Sequence, residues 1–183
     1  MPRLTALDPA AAEGKAKTLL DGVQKALGVA PNLMRTLAHS PAALDAYLSF
    51  GKALGAGRLG RKLGEQIALA VAGVNGCDYC ASAHTLMAKG AGVAEDELAR
   101  NLGGWSSDPK VAAALAFAVQ VTATRGFVSD DDIRQIRDAG YGDGEIAEIV
   151  GAVALNTFSN YFNHIAETEV DFPFVPANGR VAA

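Results

Sequence analysis

Residues 65–84 read EQIALAVAGVNGCDYCASAH, an apolar run followed by a short segment with both cysteines of the chain. From Ile67 to Ala72 no side chain is polar, so a helix formed here is apolar on every side. Such a helix is buried either in the core of a chain or in a subunit interface, and the sequence leaves both open. Asn75 and Gly76 follow, and both residue types tolerate left-handed backbone conformations. The stretch therefore predicts a buried helix, a chain reversal and a second helix.

The rest of the chain also carries helix signals. Three dipeptides each place a capping oxygen before a proline at the first helical position: Asp8-Pro9, Ser40-Pro41 and Asp108-Pro109. The alternation of apolar and polar residues that marks strands is nowhere sustained. We therefore predict an all-α fold of about eight to ten helices with short connections.

Composition and charge exclude several classes of function. The chain of 183 residues has a net charge of −4 and no basic run that could neutralise phosphates, so nucleic acid is not an expected partner. No apolar run approaches the ~20 residues that cross a bilayer, so no membrane association is expected. The N-terminal residues lack a signal-peptide pattern. We expect a cytoplasmic protein.

Both cysteines of the chain lie in one Cys-x-x-Cys pair, Cys77 and Cys80. A chain of this length folds without a disulfide, and a bridge that closes so short a loop stabilises it little. In the cytoplasm such a pair indicates redox or metal chemistry. Redox cycling is the main interpretation. Two others stay open: a buried pair of small hydrophobic residues, or half of a zinc site completed by His84 and Glu65.

The spacing of the neighbouring polar residues predicts a catalytic arrangement. His84 follows Cys80 by one helical turn, so its imidazole can reach the sulfur. Glu65 precedes Cys77 by twelve residues, which is about 18 Å along a straight helix. If the chain reverses at Gly76, the two helices lie antiparallel and Glu65 comes within about a turn of His84. We predict a line Glu65–His84–Cys80, in which a carboxylate orients an imidazole that takes the thiol proton.

At these residues the chain resembles the alkylhydroperoxidase D-like branch of the carboxymuconolactone decarboxylase family, the peroxidase-related proteins. The family pattern is a glutamate, a Cys-x-x-Cys pair twelve positions later and a histidine four positions further on. Glu65, Cys77, Cys80 and His84 match it at every spacing. The resemblance extends to the segments LGVAPNLMRTLAHSP before the motif and FNH and DFP near the C-terminus, so it covers most of the chain.

The resemblance implies an alkylhydroperoxidase D-like helical bundle that assembles as trimers or hexamers and reduces hydroperoxides. In that scheme one cysteine forms a sulfenic acid, which condenses with the other cysteine to a disulfide. Cys80 is then the attacking cysteine, Cys77 resolves, and Glu65 and His84 relay the proton. The helix start would instead favour Cys77 as the lower-pKa thiol. The implied partners are a small hydroperoxide and a dithiol or lipoyl-type reductant, and neither a cofactor nor a metal is expected.

The chain departs from the family pattern between its two cysteines. The best-known members carry a histidine there, whereas this chain has Asp78 and Tyr79. A tyrosine with a pKa of about 10 does not readily accept a proton at neutral pH. The proton relay is therefore shorter here, and packing is the expected role of Tyr79.

We expect one all-helical domain over residues 1–183, because no linker or low-complexity tract divides the chain. It comprises a family-like core at about 28–103, a C-terminal helical half at about 108–170 and an extended tail at 171–183. Contact of this tail with a neighbouring subunit is a further hypothesis. A weak internal echo suggests a degenerate repeat of a helical hairpin, since a second glutamate precedes two asparagines at the motif spacing: Glu148, Asn160 and Asn163.

Polar residues also share one face of the predicted C-terminal helix. They recur at helical spacing: Asn156, Asn160, Asn163 and Glu167. The opposite face carries Phe158, Phe162 and Ile165. We expect the polar face to meet solvent or a neighbouring subunit, with a contribution to a substrate pocket as the alternative.

Two other functions remain open at this point. One is a non-enzymatic redox-sensing or oligomerising protein of the same fold, in which the disulfide changes assembly and no peroxide is consumed. The other is a carboxymuconolactone decarboxylase-like lyase. It is less favoured, because the ring-opening lactone decarboxylases of the wider family do not rely on this cysteine pair.

Overall fold

A computed structural model describes residues 1–177 of the protein. Over this range the chain forms nine helices and no strand, so the prediction of an all-α fold is confirmed. In chain order the helices are α1 (Gly14–Leu27), α2 (Asn32–Leu37), α3 (Pro41–Gly55), α4 (Gly60–Asn75), α5 (Asp78–Gly90), α6 (Glu95–Leu102), α7 (Pro109–Ala123), α8 (Asp130–Asp138) and α9 (Asp143–Ala166). None of these helices is long and apolar enough to cross a membrane.

Helix α4 is the centre of the bundle. Every residue from Gln66 to Gly73 is buried, and α5, α6, α7 and α9 pack around the helix. Its side chains join separate apolar clusters: Ala72 packs with α1, α3 and α5, whereas Ile67 and Val71 pack with α7 and α9. The apolar stretch of the sequence thus lies in the core of the chain itself.

A close backbone contact fixes α6 against α4. A Cβ atom added to Gly73 would lie 1.9 Å from the carbonyl oxygen of Leu102, at the end of α6. No side chain fits in that space, so glycine is required for α6 to approach this closely. The contact holds the C-terminal half of α4, which leads directly into the two cysteines.

Two of the three predicted helix starts are confirmed. Ser40 Oγ accepts a hydrogen bond from the amide of Ala43 at 3.3 Å, and Asp108 Oδ1 accepts one from the amide of Lys110 at 2.9 Å. The prediction at Asp8-Pro9 is wrong, because these residues form only a turn and α1 begins at Gly14. Asp8 caps that turn through the amide of Ala10.

The suggested hairpin repeat does not form. In the first segment the chain reverses between α4 and α5. In the second, α9 continues as one helix of 24 residues from Asp143 to Ala166. Nothing interrupts α9 at the position that corresponds to Gly76, because the chain there has Ser159, a residue that fits a helix interior. The echo in the sequence is therefore one of spacing and not of backbone path.

Candidate active site

The chain reversal between α4 and α5 places both thiols at the start of a helix. Gly76 has φ +65° and ψ +37°, a left-handed conformation that ends α4. The amide of Cys77 donates back to the carbonyl of Ala72 at 3.0 Å, which closes the turn. Cys77 is the N-cap of α5, and its Sγ accepts a hydrogen bond from the amide of Cys80 at 3.4 Å. The predicted reversal at Gly76 is confirmed.

The predicted contact between Glu65 and His84 is present. Glu65 Oε2 lies 2.8 Å from Nδ1 of His84, and the two side chains are only 16% and 14% exposed. The carboxylate therefore favours the tautomer with a proton on Nδ1, which leaves Nε2 free to exchange a proton. The antiparallel arrangement inferred from the sequence brings these residues together across a separation of 19 positions.

Cys80 and His84 line an apolar cavity of about 170 Å³. The other lining residues come from α1 to α3, α5, α9 and the C-terminal segment: Leu27, Val29, Pro31, Leu33, Met34, Tyr47, Tyr79, Ala83, Leu86, Met87, Ser159 and Phe172. Cys77 is not among them, although both thiols are free and buried. A small apolar molecule in this cavity would therefore meet Cys80 first.

The two thiols differ in acidity. Burial alone would raise the pKa of Cys80, but a hydrogen bond from Cys77, the charge of His84 and the amides of Asn163 and Asn160 outweigh it and lower this pKa to about 6. The pKa of Cys77 is raised, because its thiol is hydrogen-bonded to the Cys80 sulfur and is itself buried. Cys80 is therefore the thiolate at neutral pH, in spite of the position of Cys77 at the helix start.

His84 is tuned toward its protonated form. Burial would lower the pKa of the imidazole, but the hydrogen bond and the charge of Glu65, followed by the charge of Cys80, outweigh burial and raise it. A thiolate and an imidazolium are thus favoured together in one cavity. This ion pair is the arrangement that activates a cysteine nucleophile.

The second half of the predicted line differs from expectation. Within residues 1–177, Cys80 Sγ has a hydrogen bond from Asn163 Nδ2 at 3.2 Å and none from His84. His84 acts on Cys80 through its charge across the cavity that both residues line. The contact of Asn163 with the sulfur was not predicted from the sequence.

The expected orientation of α9 is wrong. Three of the four residues of the predicted polar face are buried, with Asn156, Asn160 and Asn163 each no more than 6% exposed, whereas Glu167 is exposed after the end of α9. Phe158 and Ile165 on the opposite face are 44% and 63% exposed. The asparagines turn inward because they hydrogen-bond there: Asn163 contacts the Cys80 sulfur, and Asn160 Oδ1 accepts from Asn75 Nδ2 at 2.8 Å. One sequence signal could have indicated this: Asn160 and Asn163 follow Glu148 at the same spacing at which Cys77 and Cys80 follow Glu65.

Tyr79 anchors the wall of the cavity. Its hydroxyl oxygen accepts a hydrogen bond from the amide of Leu33 at 3.0 Å, and its ring packs edge-on against Phe172 with centroids 5.6 Å apart. Burial raises the pKa of this hydroxyl. Tyr79 therefore stays protonated, and its contacts agree with the expected packing role.

The segment after α9 covers the start of α5. Ser82 Oγ accepts a hydrogen bond from the amide of Val175 at 2.9 Å, and Asp78 Oδ1 accepts one from the amide of Ala177 at 2.9 Å. Residues 171–177 form neither a helix nor a strand and contact α5 of their own chain, and contact of the tail with a neighbouring subunit stays a prediction. The last part of the predicted tail, residues 178–183, lies outside the described residues.

The zinc interpretation requires a group of suitable ligands placed close together. Over residues 1–177, no group of three or more histidine, cysteine, aspartate or glutamate side chains is placed to hold a metal ion. Glu65 and His84 are instead hydrogen-bonded to each other.

Comparison with solved structures identifies the fold. A peroxidase-related protein from Ralstonia eutropha JMP134, described as an alkylhydroperoxidase AhpD core, superposes with a TM-score of 0.81 at 26% identity, over 93% of this chain and 92% of that one. A peroxidase-related protein from Silicibacter sp. TM1040 gives 0.79 at 22% identity, over 91% of each chain. The debrominase Bmp8, in complex with 2,3,4-tribromopyrrole, gives 0.79 at 21% identity, over 92% of this chain and 91% of that one.

Comparison of sequences gives a family match. No curated protein matches the chain. Residues 41–124, which run from α3 to the end of α7 and include Glu65, Cys77, Cys80 and His84, match the Carboxymuconolactone decarboxylase family. By this match, which covers less than half of the chain, and by the shared fold, the chain is similar to the alkylhydroperoxidase D-like proteins of the carboxymuconolactone decarboxylase family.

Proposed function

We propose that the protein is a thiol-dependent peroxidase that reduces small hydroperoxides through a dithiol–disulfide cycle of Cys80 and Cys77. One observation carries the proposal: Cys80, with its pKa lowered to about 6, lines an apolar cavity beside a histidine that Glu65 orients. Low thiol pKa, access to a cavity and a neighbouring proton carrier are the requirements of a peroxide-reducing cysteine.

The first step is attack of the Cys80 thiolate on the terminal oxygen of the hydroperoxide. The S–O bond forms as the O–O bond breaks, so the sulfur is oxidised to a sulfenic acid and the peroxide is reduced. The leaving alkoxide takes the proton from the imidazolium of His84, which becomes neutral. Glu65 stays ionised and keeps the imidazole oriented throughout.

The second step is condensation of the two cysteines. Cys77 stays a thiol at neutral pH, since its pKa is raised. The neutral His84 can accept its proton as the sulfur attacks the Cys80 sulfenic acid and pass it to the departing hydroxide, so that the S–O bond breaks and water leaves as the disulfide forms. A dithiol or lipoyl-type reductant then returns both cysteines to thiols. Because Tyr79 stays protonated, His84 is the sole proton carrier in this scheme.

A single-turnover experiment tests this function. The reduced protein is mixed with one equivalent of an organic hydroperoxide, and the peptide that contains Cys77 and Cys80 is weighed. We expect a loss of two hydrogens, consumption of one equivalent of peroxide and full recovery with a dithiol. Thiols that stay reduced while the peroxide persists would contradict the proposal. The protein with both cysteines replaced by serine is the control.

A second candidate is reductive dehalogenation of a small aromatic compound. The apolar, aromatic-lined cavity supports it, together with the fold shared with a debrominase. The electron count is the same: a carbon–bromine bond is replaced by carbon–hydrogen, bromide leaves, and the two thiols become a disulfide. Bromide release from a bromopyrrole in the same single-turnover assay, without peroxide consumption, would favour this candidate over the first.

Assembly as a homotrimer or homohexamer is part of the proposal. The outward face of α9 carries half-exposed apolar residues, and such a face is typical of a protein interface: Phe158, Tyr161 and Ile165. The mass in solution tests the assembly. If the mass changed between reducing and oxidising conditions while peroxide was not consumed, the redox-sensing alternative would replace the enzymatic one.

A further inference from the structure

Two buried amides of α9 face the reactive sulfur from across the bundle. Asn163 Nδ2 lies 3.2 Å from Cys80 Sγ, and Asn163 is 4% exposed. Asn160 lies one turn earlier on the same helix and is fully buried. Its Oδ1 is fixed by the side-chain amide of Asn75 at 2.8 Å. That hydrogen bond orients the Asn160 amide and leaves its nitrogen, Nδ2, available as a donor.

These amides are incompletely paired within residues 1–177. Asn160 Nδ2 and Asn163 Oδ1 are buried without a hydrogen-bond partner. Buried polar atoms without partners are rare, because each one loses its hydration without compensation. Packing alone would favour apolar side chains at both positions. The presence of two amides beside a thiol indicates that their role is to stabilise the charged form of the sulfur.

We propose that Asn163, assisted by Asn160, is a positioning residue that holds Cys80 as a thiolate by donating an amide N–H to its sulfur. The inference deepens the proposed function and rests on it, because a peroxidase needs the thiolate. An amide donor stabilises the anion without adding a titratable proton. Its effect is larger in an apolar cavity than in water.

The two amides still stabilise the Cys80 thiolate at a pH where His84 has lost its proton and its charge. The imidazolium stabilises the thiolate only while it is protonated, whereas an amide donates at every pH. Both effects lower the pKa of Cys80, His84 more strongly than Asn163, against the opposing effect of burial. The other ionisable groups that interact with the Cys80 sulfur lie on α3 and α5: Tyr47, Cys77 and Tyr79. Glu65, on α4, acts on the sulfur indirectly, by way of its effect on His84. None of these groups lies on α9, so the asparagines are the contribution of that helix.

The test is a titration of the Cys80 thiolate by its ultraviolet absorbance, in a Cys77→Ser background that leaves one thiol. Asn163→Leu keeps a similar volume and removes the donor. Because a hydrogen bond to a charged group typically corresponds to a pKa change of about 1 or more, we expect the midpoint to rise by about 1 pH unit. Asn101→Leu is the matched control, since Asn101 is fully buried on α6 and bonds Gln66 and the carbonyl of Trp105. We expect no change in its midpoint.

A second variant covers a failure of Asn163→Leu to fold. Asn163→Asp keeps the shape but places a carboxyl group at the sulfur, and we expect it to raise the midpoint further, because two anions would then share the site. Helical content by circular dichroism establishes folding for each variant. A midpoint in the folded Asn163 variants equal to that of the Asn101→Leu control would overturn the inference.

The titration separates this inference from the proposed function. It reads the charge state of Cys80 without any substrate. If Asn163→Leu raises the midpoint but the unmodified protein consumes no peroxide, the peroxidase proposal is wrong and the role of Asn163 stands. If peroxide is consumed and the midpoint does not move, Asn163 is only a packing residue.

Discussion

Residues 65–84 and α9 share a spacing but differ in backbone path. In each, a glutamate precedes two polar residues by 12 and 15 positions: Glu65 with Cys77 and Cys80, and Glu148 with Asn160 and Asn163. The first segment reverses at Gly76, so its glutamate meets a histidine on the next helix. The second stays one helix, and Glu148 instead accepts the amides of Arg58 and Leu59 at 2.8 and 3.1 Å.

The difference shows that Gly76, by reversing the chain, separates the segment that carries the reactive groups from the helix that surrounds them. The reversal at Gly76 creates a helix start that carries two thiols and a base. The uninterrupted α9 presents amides to the sulfur at the equivalent offset, and Asn163 contacts Cys80. The reactive groups and the groups that surround them thus come from segments of matching spacing that pack against each other.

The largest expected effect is on the reactive sulfur itself. Cys80→Ser removes the nucleophile, so peroxide consumption should fall by at least about 10³-fold, to background. Cys77→Ser should still consume one equivalent in a single turnover, because attack does not need the resolving cysteine. Stopped-flow measurement of peroxide loss checks both. Equal loss in the two variants would contradict the division of roles.

The two glutamates provide the next test. Glu65→Gln removes the charge that keeps His84 protonated, and we expect the rate of peroxide reduction to fall by about 10²-fold with little change in stability. Glu148→Gln should leave the rate unchanged but lower the free energy of unfolding by about 1 kcal/mol, since Glu148 accepts two backbone amides before α4. Kinetics and urea unfolding of both variants make the comparison. Similar rates and similar unfolding free energies for the two variants would show that the sequence spacing of the glutamates, and not the backbone path, sets their roles.

A pair of glycines tests the packing of the two segments. Gly73→Ala in α4 should cost about 2 kcal/mol of stability, because its Cβ would clash with the backbone oxygen of Leu102. The Cβ of Gly151→Ala in α9 would lie 3.0 Å from the tip of the Leu54 side chain, which can shift, and 3.7 Å from the Phe50 ring, an ordinary contact. Thermal unfolding should show a large difference between the two. An unchanged melting temperature for Gly73→Ala would mean that α6 moves freely away from α4.

The smallest expected effect is the pH dependence of the reaction. The lowered pKa of Cys80 predicts that the second-order rate with peroxide rises about tenfold per pH unit up to about pH 6 and then levels off, because the thiolate is the nucleophile. At higher pH the rate should fall as His84 loses its proton, above the usual range for histidine, since its pKa is raised. A rate that still rises past pH 8 would point to a thiol of ordinary acidity, near 8.5.

Local sequence signals account for much of the fold and half of the site. The apolar run in α4, the reversal at Gly76 and the contact of Glu65 with His84 follow from residues close in sequence. Asn163 does not, because it lies 83 positions from Cys80. A polar helix face opposite aromatic residues normally points to solvent. In α9 the asparagines point inward instead, because they form hydrogen bonds there, one of them to the Cys80 sulfur. The covering of α5 by residues 171–177 also depends on contacts distant in sequence.

The central claim is that Cys80 attacks and Cys77 resolves. The most direct measurement is mass spectrometry of the two single cysteine variants, treated with hydroperoxide in the presence of a reagent that traps sulfenic acids. We expect an adduct on Cys80 in Cys77→Ser and no adduct on Cys77 in Cys80→Ser. An adduct on Cys77 in Cys80→Ser, with none on Cys80 in Cys77→Ser, would contradict it.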